Sequence, residues 1–298
     1  MSTTTSPGLV GAAAPPAAAI PFARPRARRT RVPVGLVLSL LLLALLVAAA
    51  VAPGLFTGTD PNAASAADTL TGPSGAHWFG TDQNGRDIFS RVVHGAGPSL
   101  LIGVAASALA LVLGTALGVL AAQGGRVGDR VVSRLLDVLL SVPGLLLALL
   151  IIAALGPGTR NSILGIALIS TPGYARLVRG EVLRIRGSAF VEAAVGLGWS
   201  RPQVVLRHVV PNAVGPVIVL ATIGVGAAIG VGSSLSFLGL GPQPPTAEWG
   251  AMLASSRDYL SVAWWPAVFP GVAITLTVLT VTVVGRRLQL RAEGRVAR

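Results

Sequence analysis

Six long apolar runs decide most of what this chain can fold into. They cover roughly residues 34–52, 99–122, 132–155, 162–178, 213–235 and 264–284. The first, at about 19 residues, makes about 28 Å of helix, close to the thickness of a bilayer's hydrocarbon core. Only 11% of the 298 residues are charged, against about 25% in a typical soluble protein. So little charge over this length points away from one large soluble core. The reading is an all-α, polytopic membrane protein with six transmembrane helices. A Pro143-Gly144 pair inside the third run is expected to kink it, a bend that a helix bundle tolerates. The fifth run carries Gly215, Gly224, Gly226, Gly230 and Gly232, small residues that let helices approach closely in lipid.

The net charge of +12 invites a nucleic-acid reading, but its distribution follows topology instead. All 23 basic residues are arginine. Six spans put both tails on one side, together with the loops around Arg126, Arg179 and Arg207; that side holds 19 arginines, the other four. The asymmetry places both termini and the loop after the fourth run in the cytoplasm. Residues 1–32 read as a disordered basic cytoplasmic tail, and 33–94 as the first span plus an extracytoplasmic loop. Residues 95–286 form the main transmembrane domain, with a cytoplasmic loop at 180–212, and 287–298 are a second basic tail. An arginine cluster before an apolar run also imitates a signal peptide, but the run is long and an uncleaved first span fits it better. Trp264 and Trp265 sit where an aromatic belt belongs. With no cysteine in the chain, disulfides and thiolate chemistry are excluded.

On the arginine-rich side, the main stretch after the first tail that a bilayer cannot hold is 188–212, SAFVEAAVGLGWSRPQVVLRHVVPN. It reads as two short helices. The first, near Phe190–Leu197, ends at Gly196 and Gly198. The second opens on a Ser200-x-x-Gln203 capping box, has Pro202 in its first turn, and is broken by Pro211-Asn212 before the next span. Such an elbow suits a docking surface. Glu192 is either a solvated acid among arginines or a contact for a partner. Phe190 and Trp199 either dock into an apolar groove or lie at the lipid interface.

Glu192-Ala193-Ala194, with Gly198 six residues later and Pro211 nineteen later, resembles the EAA loop of ABC importer permeases. His77-Trp78-Phe79-Gly80-Thr81-Asp82-Gln83-Asn84-Gly85-Arg86-Asp87, Pro172-Gly173-Tyr174-Ala175-Arg176-Leu177-Val178-Arg179 and Leu235-Ser236-Phe237-Leu238-Gly239-Leu240-Gly241-Pro242-Gln243-Pro244-Pro245 extend the likeness. They resemble the second permease subunit of the dipeptide/oligopeptide/nickel class, over roughly 34–285. The resemblance implies the type-1 ABC importer permease fold in a bacterial inner membrane. It also implies a homologous permease beside this chain, two ATP-binding subunits, an extracytoplasmic solute-binding protein, membrane lipid around the spans and no nucleic acid. In that family the loop seats in a groove of the ATPase, which assigns the contact here to Glu192, Ala193, Ala194, Gly198, His208, Pro211 and Asn212. Di- or oligopeptides are the implied cargo, with nickel chelates or another small solute as the alternative. The end of the chain departs from the family, since Gly285-Arg286-Arg287-Leu288-Gln289-Leu290 replaces an acidic tail.

Other chemistry finds little support. A phosphate-binding loop needs its lysine, and the chain has none, so ATP and magnesium belong to partner subunits and this chain is not expected to be an enzyme. No nucleophile elbow or zinc-protease motif is present. His77, Asp82 and Asp87 lack zinc-like spacing and read as a structured loop pinned through Arg86-Asp87. A secondary transporter needs mid-membrane acids, and only Asp137 approaches that depth; Arg134 three residues earlier is the expected ion-pair partner. The arginine asymmetry makes a direct prediction. Reporter fusions after Gly125, Gly187 and Ala292 should report cytoplasm, and fusions after Thr69 and Gly241 the outside. A fusion after Gly187 reporting outside would overturn the assignment.

Overall fold

The computed structural model describes residues 34–292, all within one compact unit. The expected tail at 1–32 and the last residues of the basic tail lie outside the described residues. Among those described, every element is helical and no strand forms. In order they are α1 (Val34–Val51), α2 (Ile88–Gln123), α3 (Gly125–Ser141), α4 (Gly144–Leu155), α5 (Thr159–Arg186), α6 (Ala189–Gly196), α7 (Arg201–Val204), α8 (Val210–Phe237), α9 (Trp249–Ser256) and α10 (Trp265–Ala292). All-helical construction suits lipid, because each backbone donor and acceptor then finds its partner within its own segment.

α1, α2, α8 and α10 are long and apolar enough to span a membrane. The third apolar run differs from expectation. Instead of a kink, α3 and α4 meet at 91°. Val142 lies in an extended conformation (φ −98°, ψ 132°), the region favoured by a residue that precedes proline. Counted as one broken span, the pair makes five. The fourth run lies within α5, which is long enough at 28 residues. α5 nevertheless carries Arg160, Arg176, Arg179, Glu181, Arg184 and Arg186, and it does not meet the same apolar criterion. Six spans are therefore not reached on length and hydropathy alone.

α2 is the central helix. It packs on α1, α3, α5, α8 and α10, and most extensively on α5. Two glycines set that contact. A Cβ at Gly118 would stand 2.6 Å from the Ala175 carbonyl oxygen, and one at Gly114 would stand 2.5 Å from the Tyr174 Cβ. α2 starts at Ile88, well before the apolar run, because Asp87 caps it by accepting from the Ser90 amide at 2.7 Å. The same carboxylate meets His77 Nδ1 at 2.9 Å. Asp82 accepts from Arg86 Nε at 2.7 Å, with Arg91 Nε 3.7 Å away. The loop is pinned to α2 as expected, Asp87 through His77 and the Ser90 amide and Arg86 through Asp82. Among the described residues no cluster of three candidate metal ligands occurs.

The pairing expected for Asp137 also changes. Its carboxylate accepts from Arg176 of α5 at 2.8 Å, not from Arg134. Asp129 pairs with Arg179 through two bonds, at 2.6 and 2.8 Å. On a helix an i,i−3 neighbour is one choice among several, and tertiary packing of α3 on α5 supplied better-placed guanidinium groups. At the end carrying the N-terminus of α2, Trp265 donates from Nε1 to the Thr81 carbonyl at 3.1 Å. Trp264 beside it is half exposed, and the two rings meet edge to face.

Buried Glu248 secures α9. Its carboxylate accepts from the Gly250 and Ala251 amides at 3.0 and 2.9 Å and from Ser99 Oγ at 3.1 Å. Trp249 donates its amide to Ser99 Oγ and its indole N–H to the Val92 carbonyl. A helix N-terminus and one hydroxyl thus replace the cationic partner a buried carboxylate usually requires.

Candidate functional site

The elbow between α5 and α8 forms from local signals first. α6 ends in a Schellman arrangement. The Trp199 amide donates to the Ala194 carbonyl at 3.2 Å, and the Gly198 amide to the Val195 carbonyl at 3.0 Å. That closure requires a left-handed residue, and Gly198 has φ +85°. Gly196, also expected to stop the helix, is simply its last helical residue. Trp199, the residue after the left-handed turn, packs with Ala194 on the apolar cluster beneath, the hydrophobic contact that commonly completes this cap.

The second short helix forms with half of its expected capping box. Gln203 Oε1 accepts from the Ser200 amide at 3.0 Å and from the Ser200 hydroxyl at 2.9 Å. The serine hydroxyl is spent on that bond rather than on a helix amide. Pro211-Asn212 does not break the chain as expected. Helix continues from Pro202 to Phe237, and residues Val205–Val209 form a π turn. A proline ring clashes with the carbonyl four residues back, here Arg207; the wider π turn, in which the Val210 amide reaches the Val205 carbonyl, makes room for Pro211. Asn212 then donates from Nδ2 to the His208 carbonyl at 2.6 Å.

The elbow has two faces. Its inner face consists of Val191, Ala194, Val204 and Val209, all buried. They share one cluster with Val178, Val182 and Ile185 of α5, Ala110 and Ala122 of α2, and Ala213, Val217 and Ala221 of α8. Burying a valine contributes roughly 1.5–3 kcal/mol relative to exposure, more than the about 1 kcal/mol of a typical cap. Packing onto the spans therefore outweighs capping in holding the elbow. Arg186 adds a bond to the Ala122 carbonyl at 2.7 Å.

The outer face carries Glu192, Ala193, Val195, Leu197, Gly198, Pro211 and Asn212, all exposed. Leu197 is 80% exposed and Leu206 69%. The Glu192 side chain makes no hydrogen bond or ion pair among the described residues. His208 lies inside the elbow, its ring 5.0 Å from Trp199, with Arg207 stacked 5.5 Å from the same indole. Its buried Nε2 has no hydrogen-bond partner among the described residues. Glu192, Ala193 and Gly198 are thus exposed in the structure, and Phe190 is 48% exposed. Ala194 and Trp199 turn inward. Reading the sequence missed that the valines at 191, 204 and 209 belong to the spans' own core; their spacing of five between 204 and 209 is a π-turn period and hides the pattern.

Residues 114–298 match the family described as a binding-protein-dependent transport system inner membrane component. The dipeptide transport system permease protein DppC of Alkalihalophilus pseudofirmus is 43% identical over 235 residues, covering 79% of this chain and 77% of that protein. The probable D,D-dipeptide transport system permease protein DdpC of Escherichia coli strain K12 is 44% identical, covering 73% of each. The glutathione transport system permease protein GsiD of Pectobacterium atrosepticum is 41% identical, covering 73% of this chain and 72% of that protein. Among solved structures, the inward-facing MetNI methionine ABC transporter aligns with a TM-score of 0.54 at 21% identity, over 68% of this chain and 95% of that one.

The cap geometry predicts a contrast between two neighbouring glycines. Gly198→Ala forces a left-handed alanine at a cost of about 1–2 kcal/mol. Hydrogen exchange at the Trp199 amide should accelerate roughly 5- to 30-fold. Gly196→Ala has helical geometry and open space around the new methyl, so exchange there should hold or slow. Equal behaviour of the two variants would contradict the assignment of Gly198 as the left-handed cap.

Proposed function

Because the chain belongs to the family of binding-protein-dependent transport system inner membrane components, we propose that it is the permease subunit of an ATP-driven importer of di- or oligopeptides. It forms half of a translocation pathway, beside a homologous permease. A solute-binding protein delivers cargo on the extracytoplasmic side, and two ATP-binding subunits dock on the cytoplasmic side. Both termini and the elbow lie in the cytoplasm, a reading supported by the arginine asymmetry. The peptide cargo is supported by the names of the dipeptide and glutathione permeases that this chain resembles at 41–45% identity. ATP hydrolysis belongs to the partners, in keeping with the missing phosphate-loop lysine.

One observation carries the mechanism: a single apolar cluster runs from the elbow's inner face into α2, α5 and α8. Close-packed apolar contacts do not compress, so a displacement of the outer face reaches the spans without being absorbed between them. Glu192 and Ala193 take up the ATPase surface, while Val191 and Ala194, one residue to each side, hold the spans. Closure of the ATPase pair on ATP then biases two arrangements of the spans by contacting the elbow differently in each.

The test is uptake of a radiolabelled dipeptide by cells carrying the full transporter, measured beside ATPase copurification at matched permease levels. Glu192→Lys reverses an exposed charge and leaves the buried valines untouched. Losing a central interface contact typically costs about 1–4 kcal/mol, so copurification should fall roughly 5- to 1000-fold, with uptake falling too. Wild-type values of both would refute the coupling role. Uptake of no peptide by the intact wild-type transporter would refute the cargo and leave coupling standing.

A further inference from the structure

A second apolar surface, lined by none of the elbow's residues, is a groove between the long helices. It lies between α1, α2, α8 and α10 and encloses about 480 Å³. Leu43 and Val47 of α1, Leu101 and Val104 of α2, and Val284 and Leu288 of α10 give it apolar walls. Gly97 and Gly285 lie along its floor, where a Cβ on Gly285 would stand 2.8 Å from Ile223 Cγ1. Thr222 is the one lining residue with a polar side chain, and its hydroxyl donates to the Val219 carbonyl at 2.6 Å. Nothing polar is therefore left to face an occupant. Residues 97–104 of α2 and 281–288 of α10 each contribute two helical turns, so the groove runs about 10 Å along the helices.

The α10 wall ends in charge. Arg287 follows Val284 by three residues and Arg291 follows Leu288 by three, so both continue the edge of the lining face one turn on. Arg291 is exposed and Arg287 half-buried, and neither side chain has an ion pair or hydrogen bond among the described residues. A helix C-terminus favours arginine on its own account, but that effect does not place an apolar trough beneath the pair. We infer that the groove binds one anionic glycerophospholipid, an acyl chain along Val104 and Val284 and the phosphate at Arg287 and Arg291. A zwitterionic lipid fills the trough equally well, but its headgroup cation offsets its own phosphate beside the guanidinium groups; hydrocarbon alone gives no selectivity, and the net negative charge read by the two arginines supplies it. This inference rests on the chain spanning a membrane and not on any role of Glu192.

The experiment uses the assembled transporter in bilayer discs of equal phosphatidylglycerol and phosphatidylcholine. Lipids retained after detergent extraction are counted by native mass spectrometry. Two basic residues at a membrane surface imply retention of phosphatidylglycerol over phosphatidylcholine by roughly 10- to 30-fold. The double change Arg287→Gln, Arg291→Gln should bring that ratio to about one while a lipid is still retained. Val104→Trp should instead reduce retention of both lipids, and thermal unfolding checks that each variant is folded. The inference fails if the wild type shows no preference, or if the preference survives loss of both arginines. It fails too if a photoreactive probe on a cysteine at Leu101 labels the homologous permease, since a protein helix then fills the groove. The readout is lipid rather than uptake, so failure here leaves the proposed transport role untouched.

Discussion

The close approach of α2 and α5 is the contact on which the rest of the arrangement depends. Gly114 and Gly118 allow it, since a side chain at either would collide with Tyr174 or with the backbone at Ala175. Within lipid there is little hydrophobic force between helices, so intimate van der Waals contact through small residues has to hold them. Once α5 is seated on α2, its C-terminal half holds Val178, Val182 and Ile185 in the buried cluster shared with α2 and α8. α3 is then drawn onto α5 by the pairs Asp129–Arg179 and Asp137–Arg176. These pairs are partly exposed and contribute modestly to stability; their role is to fix orientation.

The elbow inherits its position from that contact. Its inner valines complete a core that begins between α2 and α5, and its outer face is left with an unpaired carboxylate, small residues and exposed leucines. An isolated pair of short helices, one of eight residues and one of four, has no stability of its own in water. Burial against the spans provides it. The same burial makes the elbow mechanically continuous with α5 and α8, and that continuity is the physical content of the coupling proposal. The opposite end is organised on other terms: carboxylates at Asp82, Asp87 and Glu248 tie loops to helix starts through hydrogen bonds rather than through packing.

How much of this was legible in the sequence follows from the range of each interaction. The helical class, the first and last spans, α6 and its end at Gly198 were readable, because apolar runs and capping residues act within a few positions. The break at Val142-Pro143 was located but its size was not, since a proline says that a helix bends and neighbouring helices decide how far. The start of α2 at Ile88 was missed because Ser90, Arg91 and His94 interrupt its apolar pattern and resemble loop until Asp87 is recognised as its cap. Pro211 was taken as a breaker, as it is in an ordinary helix; the π turn before it has no short-range signature. Asp137 found Arg176 rather than Arg134 because nothing local encodes which helix will lie alongside. In the site itself, the loop was located through its resemblance to the EAA loop, while the inward turn of Ala194 and His208 and the buried valines beneath were not readable.

The central claim is that the exposed face of the elbow seats against an ATP-binding subunit. The chain contains no cysteine, so a single cysteine at exposed Ala193 can carry a short photoreactive probe without removing any native thiol. In membranes holding the complete transporter, illumination should yield an adduct of the permease with the ATP-binding subunit, in an amount that changes when ATP is added. Adducts confined to lipid or to the homologous permease, with none to the ATP-binding subunit in either nucleotide state, would contradict the account.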